Sequence, residues 1–333
     1  MHRILVASNL HPILRERLEE HGYTVTVKTD LKDGELKKIA GFHDVLVVRS
    51  KPLVTRDVIE EAARGNLKLI VRAGVGLDNI DLEAAREYGV KVENTPEAST
   101  QSVVELAIGL MYSLARNIPQ ANREVKSGLW SKSSGIELSG KTLLVIGLGR
   151  IGGKLAETGK HLGLRVVAHD LPGLKQRAGN LGVEFEEDLC KALGKADIIS
   201  IHVPLTRQTR HMINKETVKC IKPGALLINT SRGEVIDSKT LLEALEKRVI
   251  QAAALDVMEN EPPKTIYEKK LVDHPKVIIT PHIGASTKEA QKRVAETAAA
   301  KIIHFLNQTK QPLSHLHMKQ DNKAYRVTEV WNP

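Results

Sequence analysis

The chain has 333 residues, 41% apolar and 27% charged, an ordinary globular composition with length enough for two domains. Its 49 basic and 40 acidic residues leave a net charge of +9, but they are dispersed, with no basic run interleaved with aromatics. That argues against nucleic acid and for a small anionic metabolite as partner. No apolar run is long enough to span a membrane or to act as a secretion signal, so no membrane partner is expected and the cytoplasm is the expected compartment.

The first ninety residues alternate short apolar strands ("RILVA", "YTVTV", "DVLVVR", "LKLIVRA", "VKVEN") with amphipathic segments such as 12–21 and 55–64. This alternation predicts an α/β domain with a parallel sheet covered on both faces. Pro96 closes the block. The helix that follows, "SVVELAIGLMYSLARNI", is apolar around most of its circumference, so it is expected to lie between domains or against another subunit. A polar stretch, "SGLWSKSSGIELSG", leads to a second α/β block with strands "TLLVI", "RVVAH", "DIISIHV", "ALLINT", "QAAALDV" and "KVIITP". A last helix is expected from about Ala285 to Leu306, and 308–333 reads as a loosely packed tail. Cys190 and Cys220 fit no metal or redox spacing and read as free thiols of a reducing compartment. No metal site is expected.

The second block opens on a dinucleotide signature. Gly147, Gly149 and Gly152 form G-x-G-x-x-G between a strand and an amphipathic helix, and the next strand ends in Asp170. Gly147 permits the tight turn, Gly149 lets the backbone approach a pyrophosphate, and Gly152 lets helix and strand pack. The helix N-terminus offers N–H groups and partial positive charge to the phosphates, and Arg150 adds a cation. Asp170 suits the ribose hydroxyls and repels a 2′-phosphate, and Leu171 and Pro172 follow it in place of an arginine, so NAD is expected over NADP. Gly153 doubles the third glycine and is expected to be harmless.

Three later strand ends carry chemistry-bearing residues: Arg232 after "ALLINTS", Asp256 and Glu261 in "ALDVMENEPP", and His282 in "VIITPHIGAST". Ligands in open α/β sheets sit beyond the carboxyl ends of strands. An arginine pairs with a carboxylate, a histidine takes a hydroxyl proton, and a carboxylate steadies that histidine. Together they suit hydride transfer from a 2-hydroxy acid.

At these residues the chain resembles the D-isomer-specific 2-hydroxyacid dehydrogenases. The resemblance rests on "VRAGVGLDNIDLEAA", "NTP", "ELAIGLMYSLAR", "GLGRIG", "NTSRGEVID", "ALDV…EPP" and "PHIGASTKEA". It implies two doubly wound parallel-sheet domains around a cleft: a flavodoxin-like substrate domain at 1–97 plus 286–333, and a Rossmann NAD-binding domain at 98–285. It puts the catalytic set on Arg232, Glu261 and His282, with Glu261 fitting the pattern better than Glu259. Residues implied to line the cofactor are Val75, Gly147, Gly149, Arg150, Ile151, Gly152, Asp170, Val203, Thr230, Ser231, Asp256 and Gly284, with Asp256 at the nicotinamide carboxamide. Arg49, Arg72, Gly74 and Gly76, with Arg232 and His282, are implied to meet the substrate. Arg49 and Arg72 fit the family branch whose cations receive a phosphate, so the expected reaction is NAD-dependent oxidation of 3-phospho-D-glycerate to 3-phosphooxypyruvate, at the start of phosphorylated L-serine biosynthesis. The alternatives are glyoxylate or hydroxypyruvate reduction or another D-2-hydroxyacid dehydrogenase activity, and a non-catalytic NAD-sensing role like that of the family's co-repressors. The resemblance further implies a homodimer through the helix after Pro96 and the arm carrying Trp130, or a tetramer built on it. The serine-binding regulatory domain of longer members is not expected, because the sequence stops soon after its last helix.

Overall fold

The computed structural model describes residues 2–32 and 34–308. The chain separates into two compact units: one runs to Ser99 and resumes at Lys288, and the other is Thr100–Thr287.

In the first unit, strands β1 (Arg3–Val6), β2 (Thr24–Val27), β3 (Val45–Val48), β4 (Leu69–Arg72) and β5 (Lys91–Asn94) alternate with helices α1 (Ile13–Glu20), α2 (Glu35–Ala40), α3 (Arg56–Arg64) and α4 (Leu82–Glu87). The strands form one parallel sheet in the order β2-β1-β3-β4-β5, the flavodoxin-like doubly wound order. Successive residues of a strand face opposite ways, so each strand feeds two cores. Ile4, Val6, Val45, Val47, Leu69 and Val71 meet one layer, and Leu5, Leu46, Val48 and Ile70 the other.

The second unit begins with helices α5 (Thr100–Ala115) and α6 (Ile118–Lys126) and continues with β6 (Thr142–Ile146), α7 (Arg150–His161), β7 (Arg165–His169), α8 (Lys175–Leu181), β8 (Glu184–Phe185), α9 (Leu189–Lys195) and β9 (Ile198–Ile201). It ends with β10 (Ala225–Asn229), α10 (Ser238–Glu246), β11 (Ile250–Leu255), α11 (Ile266–Asp273) and β12 (Val277–Ile279). Helix α12 (Lys288–Gln308) returns the chain to the first unit. The seven strands are all parallel, ordered β12-β11-β10-β9-β6-β7-β8. This is the dinucleotide-binding arrangement, whose order reverses between β6 and β9. Asp81, Asp188 and Asp237 cap α4, α9 and α10 by accepting backbone N–H bonds, and Thr265 and Glu268 form a capping box on α11.

Two expectations change. Cys190 and Cys220 form a disulfide. Thirty positions apart in sequence, they sit on α9 and on a short 3₁₀ turn packed against it, with their Cα atoms 5.1 Å apart, inside bonding range. Helix α5 places Val104, Ala107, Leu110, Met111, Leu114 and Ala115 in the core of its own unit, while Tyr112 on the same helix is exposed. The last helix starts at Lys288 rather than Ala285 and extends through Gln308, and the rest of the expected tail lies outside the described residues. Among the described residues no helix is long and apolar enough to cross a membrane.

Candidate active site

The glycine turn follows β6. Gly147 has φ +97° and packs so tightly that a Cβ would lie 2.7 Å from the His202 carbonyl, which explains glycine there. A Cβ on Gly152 would run into the Gly147 carbonyl oxygen and Val145. Gly149 faces open space, with nothing within 4 Å of the Cβ position. The turn therefore leaves a backbone cradle at the start of α7, where Arg150 is exposed and Ile151 half-buried. Asp170 is drawn to the same turn: the N–H groups of Leu148 and Leu171 donate to its carboxylate at 2.5 and 2.7 Å. Beyond β9 and β10 come Val203, buried, and Thr230, whose Oγ1 is buried without a hydrogen-bond partner. Such an orphan is rare in a folded interior. An open cradle, a carboxylate at the end of the next strand and an orphaned hydroxyl fit a dinucleotide. His202 pairs with Ser200 Oγ at 2.8 Å, and desolvation lowers its pKa to about 4, so it stays neutral and is no acid–base group at neutral pH.

Arg232, Glu261 and His282 come from the ends of β10, β11 and β12. Asn229 sets the first: its side chain accepts from Ser231 N and Oγ at 3.0 and 2.8 Å and donates to Arg232 O at 2.8 Å, a local turn that competes with strand continuation. Gly233 then passes so close to the Met258 backbone that no side chain fits, tying the Arg232 and Glu261 loops together. His282 adopts φ +54°, and its N–H donates to Asp256 O and Thr280 O, both at 2.9 Å. Its Nδ1 meets Glu261 Oε2 at 2.9 Å.

Burial pushes the Glu261 carboxyl up. The His282 hydrogen bond and charge, the Met258 N–H and the Arg232 charge outweigh it and hold Glu261 below the ordinary carboxylate range. Glu261 is then ionised at neutral pH and can only accept, so Nδ1 carries the proton of that hydrogen bond and Nε2 is the ring atom left to meet a substrate. With nearly half of its side chain exposed (46%), His282 is accessible to a substrate hydroxyl.

Asp256 has more to do than its expected cofactor contact. Buried to 1% exposure, its carboxylate accepts from Thr280 Oγ1 at 2.6 Å and from the N–H groups of Ile283 and Gly284, both at 2.8 Å. It holds the loop on which His282 stands.

Sequence reasoning missed the supports. Glu259 turns away from His282: it accepts from His211 Nε2 at 2.8 Å and from Ser238 N at 2.9 Å, tying the Glu261 loop to α10. Glu268 is fully buried and accepts from the N–H groups of Asn260, Lys264 and Thr265 at 2.7–2.9 Å. The T-x-x-E spacing of its capping box was the available signal. Glu259 carried none, since its partners are distant in sequence.

In the first unit, Ser8 follows β1 and Arg49 follows β3, the two strands at which that sheet reverses its order. Arg49 N donates to Ser8 Oγ at 2.8 Å, and Asn79 holds the Arg49 carbonyl at 2.9 Å. Arg72 ends β4, and its guanidinium lies against Gly74, where φ is +150° and a Cβ would collide with it. Asn94 donates to Val75 O at 2.6 Å and Thr95 N to Gly74 O at 2.9 Å, fixing the 74–76 loop.

The sequence profile of the D-isomer specific 2-hydroxyacid dehydrogenase NAD binding domain matches residues 108–284. A D-3-phosphoglycerate dehydrogenase of Methanocaldococcus jannaschii is 49% identical over 304 residues, 91% of this chain and 57% of that protein. The chain thus spans a little over half of that relative's length. A hydroxypyruvate reductase of Thermotoga maritima is 47% identical over 278 residues, 83% of this chain and 89% of that one. Among solved structures, the D-lactate dehydrogenase of Aquifex aeolicus, complexed with NAD and lactic acid, superposes with a TM-score of 0.81 at 29% identity, covering 92% of this chain and 96% of that one. With the glycine cradle and the three strand-end residues in place, the chain belongs to the D-isomer-specific 2-hydroxyacid dehydrogenases and carries that family's NAD-binding domain.

Proposed function

We propose that the protein oxidises 3-phospho-D-glycerate at C2 to 3-phosphooxypyruvate with NAD, in the cytoplasm, as the first step of phosphorylated L-serine biosynthesis. The observation that carries the reaction type is the His282–Glu261 pair beside Arg232. Arg232 pairs with the substrate carboxylate. His282 Nε2 accepts the C2 hydroxyl proton while Glu261, on Nδ1, fixes the ring and stabilises the imidazolium. When bound, NAD supplies the nicotinamide that accepts the C2 hydride. Gly147, Gly149, Gly152, Arg150, Ile151 and Asp170 would hold its pyrophosphate and ribose. Val203, Thr230, Ser231, Gly284 and Val75 would line the rest, and Asp256 would serve the carboxamide while holding the His282 loop.

The choice of a phosphorylated substrate rests on Arg49 and Arg72, which are assigned to the phosphate, and on the Gly74–Gly76 loop beside them. The 49% identity to a phosphoglycerate dehydrogenase supports it. A second reading, reduction of hydroxypyruvate, is favoured by the Thermotoga maritima relative, most of whose length this chain covers.

The same reading takes the chain as a homodimer. Trp130 is 85% exposed, and Ile118, Val125, Leu129 and Ile136 on α6 and the following arm are exposed as well, apolar side chains of the sort that interfaces cover. Steady-state kinetics with NAD and NADP against phosphoglycerate, glycerate, lactate and their oxo acids decides the substrate. Phosphoglycerate is expected to lead in kcat/KM, with Arg72→Ala removing that lead. A preference for glycerate or hydroxypyruvate would defeat the phosphate assignment.

A further inference from the structure

One cation at the cofactor turn has no task in the mechanism above. Arg177, on α8, lies across the first turn of α7, where its Nη2 donates to the Gly149 carbonyl oxygen at 3.2 Å. Gly153 makes room for it: a Cβ there would stand 3.0 Å from Nη2 and 3.4 Å from Nε. The doubled glycine is thus a seat. Arg177 is exposed, and among the described residues no carboxylate lies within ion-pair distance of it. Asp170, the acid of the turn, is engaged by the N–H groups of Leu148 and Leu171 instead.

A guanidinium at the start of a helix opposes the positive end of the helix dipole. Arg150 adds a second positive charge to the same turn. This arrangement is unfavourable by itself and becomes favourable when an anion joins it. The family's cofactor brings its phosphates to this glycine turn, and Gly149 leaves the approach open.

We infer that Arg177 is a phosphate-binding residue of the cofactor site, seated by Gly153. The inference rests on the NAD-binding reading. The phosphate has two sources, the pyrophosphate common to NAD and NADP and the 2′-phosphate of NADP, and the test separates them.

Dissociation constants for NADH and NADPH are measured by fluorescence on the intact chain, with ADP and adenosine as competitors. Arg177→Gln is expected to weaken binding by about 10-fold, the worth of one charge-assisted hydrogen bond, and to leave adenosine unaffected. Equal loss for NADH, NADPH and ADP assigns the pyrophosphate; loss for NADPH alone assigns the 2′-phosphate. Gly153→Ala keeps the charge and takes its seat, so it should weaken the same ligands, and the double variant should bind no worse than the weaker-binding single one. Wild-type affinities in Arg177→Gln overturn the inference, as does an equal loss for adenosine, which would make the role structural. A wild-type protein that binds neither dinucleotide defeats the NAD reading itself.

Discussion

Reduction of the Cys190–Cys220 bond removes a cross-link that closes a loop of 30 residues. That loop holds β9, the strand end at His202 and Val203, and the turn that carries His211. In the chain-entropy picture, freeing a loop of this length returns about 12 cal/mol/K to the unfolded chain, or about 3.6 kcal/mol at 25 °C. In a unit of about 150–250 residues each kcal/mol moves the midpoint by about 2–4 °C, so reduction should lower the transition of the NAD-binding unit by about 7–14 °C. The assay is differential scanning calorimetry with and without reductant, repeated on a Cys190→Ser/Cys220→Ser double variant that should match the reduced wild type and ignore reductant. A saturating concentration of NADH should raise both forms alike, because the bond lies outside the proposed contacts. A shift below about 2 °C would refute the entropic argument. Two reactive thiols per denatured, unreduced chain would refute the bond, and would restore the reading of two free cysteines.

Three further outcomes follow from the site. His282→Ala should lower kcat by about 10²–10⁴-fold while NADH titration finds the cofactor bound nearly as before; activity close to wild type would remove His282 from the reaction. Glu268 supplies an acid-stability term. Burial pushes its carboxyl up, but the N–H groups of Thr265 and Lys264 and the Asn260 amide outweigh it and lower the pKa from 4.5 to about 2. Because the folded value is the lower one, its stabilisation is complete above 4.5 and is lost as pH falls towards about 2. The magnitude is on the order of 3 kcal/mol. Denaturant unfolding across that range should show the loss in the wild type and a flatter profile in Glu268→Gln; parallel profiles would count against it. Arg232→Lys keeps the charge but loses the two-pronged grip on a carboxylate, so KM for the 2-hydroxy acid should rise about 10-fold or more with NADH affinity unchanged; an unchanged KM would show that Arg232 does not meet the substrate.

Much of the fold is local in origin and therefore legible in the chain. Runs such as Val45–Val48 and Ala225–Asn229, buried along their whole length, announce inner strands of parallel sheets, because a strand covered on both faces has no polar side. The glycine spacing of the cofactor turn is legible for the same reason: each glycine answers a steric demand within a few residues of itself. Arg232, Glu261 and His282 could be found because strand ends in such sheets converge. Their convergence into a bonded set, with Nδ1 of His282 on Glu261 and Asp256 holding the loop beneath, depends on strand order, which no single segment encodes. The same holds for Glu259 on His211, for Arg177 on Gly153, and for Cys190 within reach of Cys220. In each of these the partners lie 24–48 positions apart, and nothing in their own segments marks them. Side-chain pairs at such separations are created by packing, so composition and periodicity determine the layers and the turn, while tertiary structure decides which charges meet.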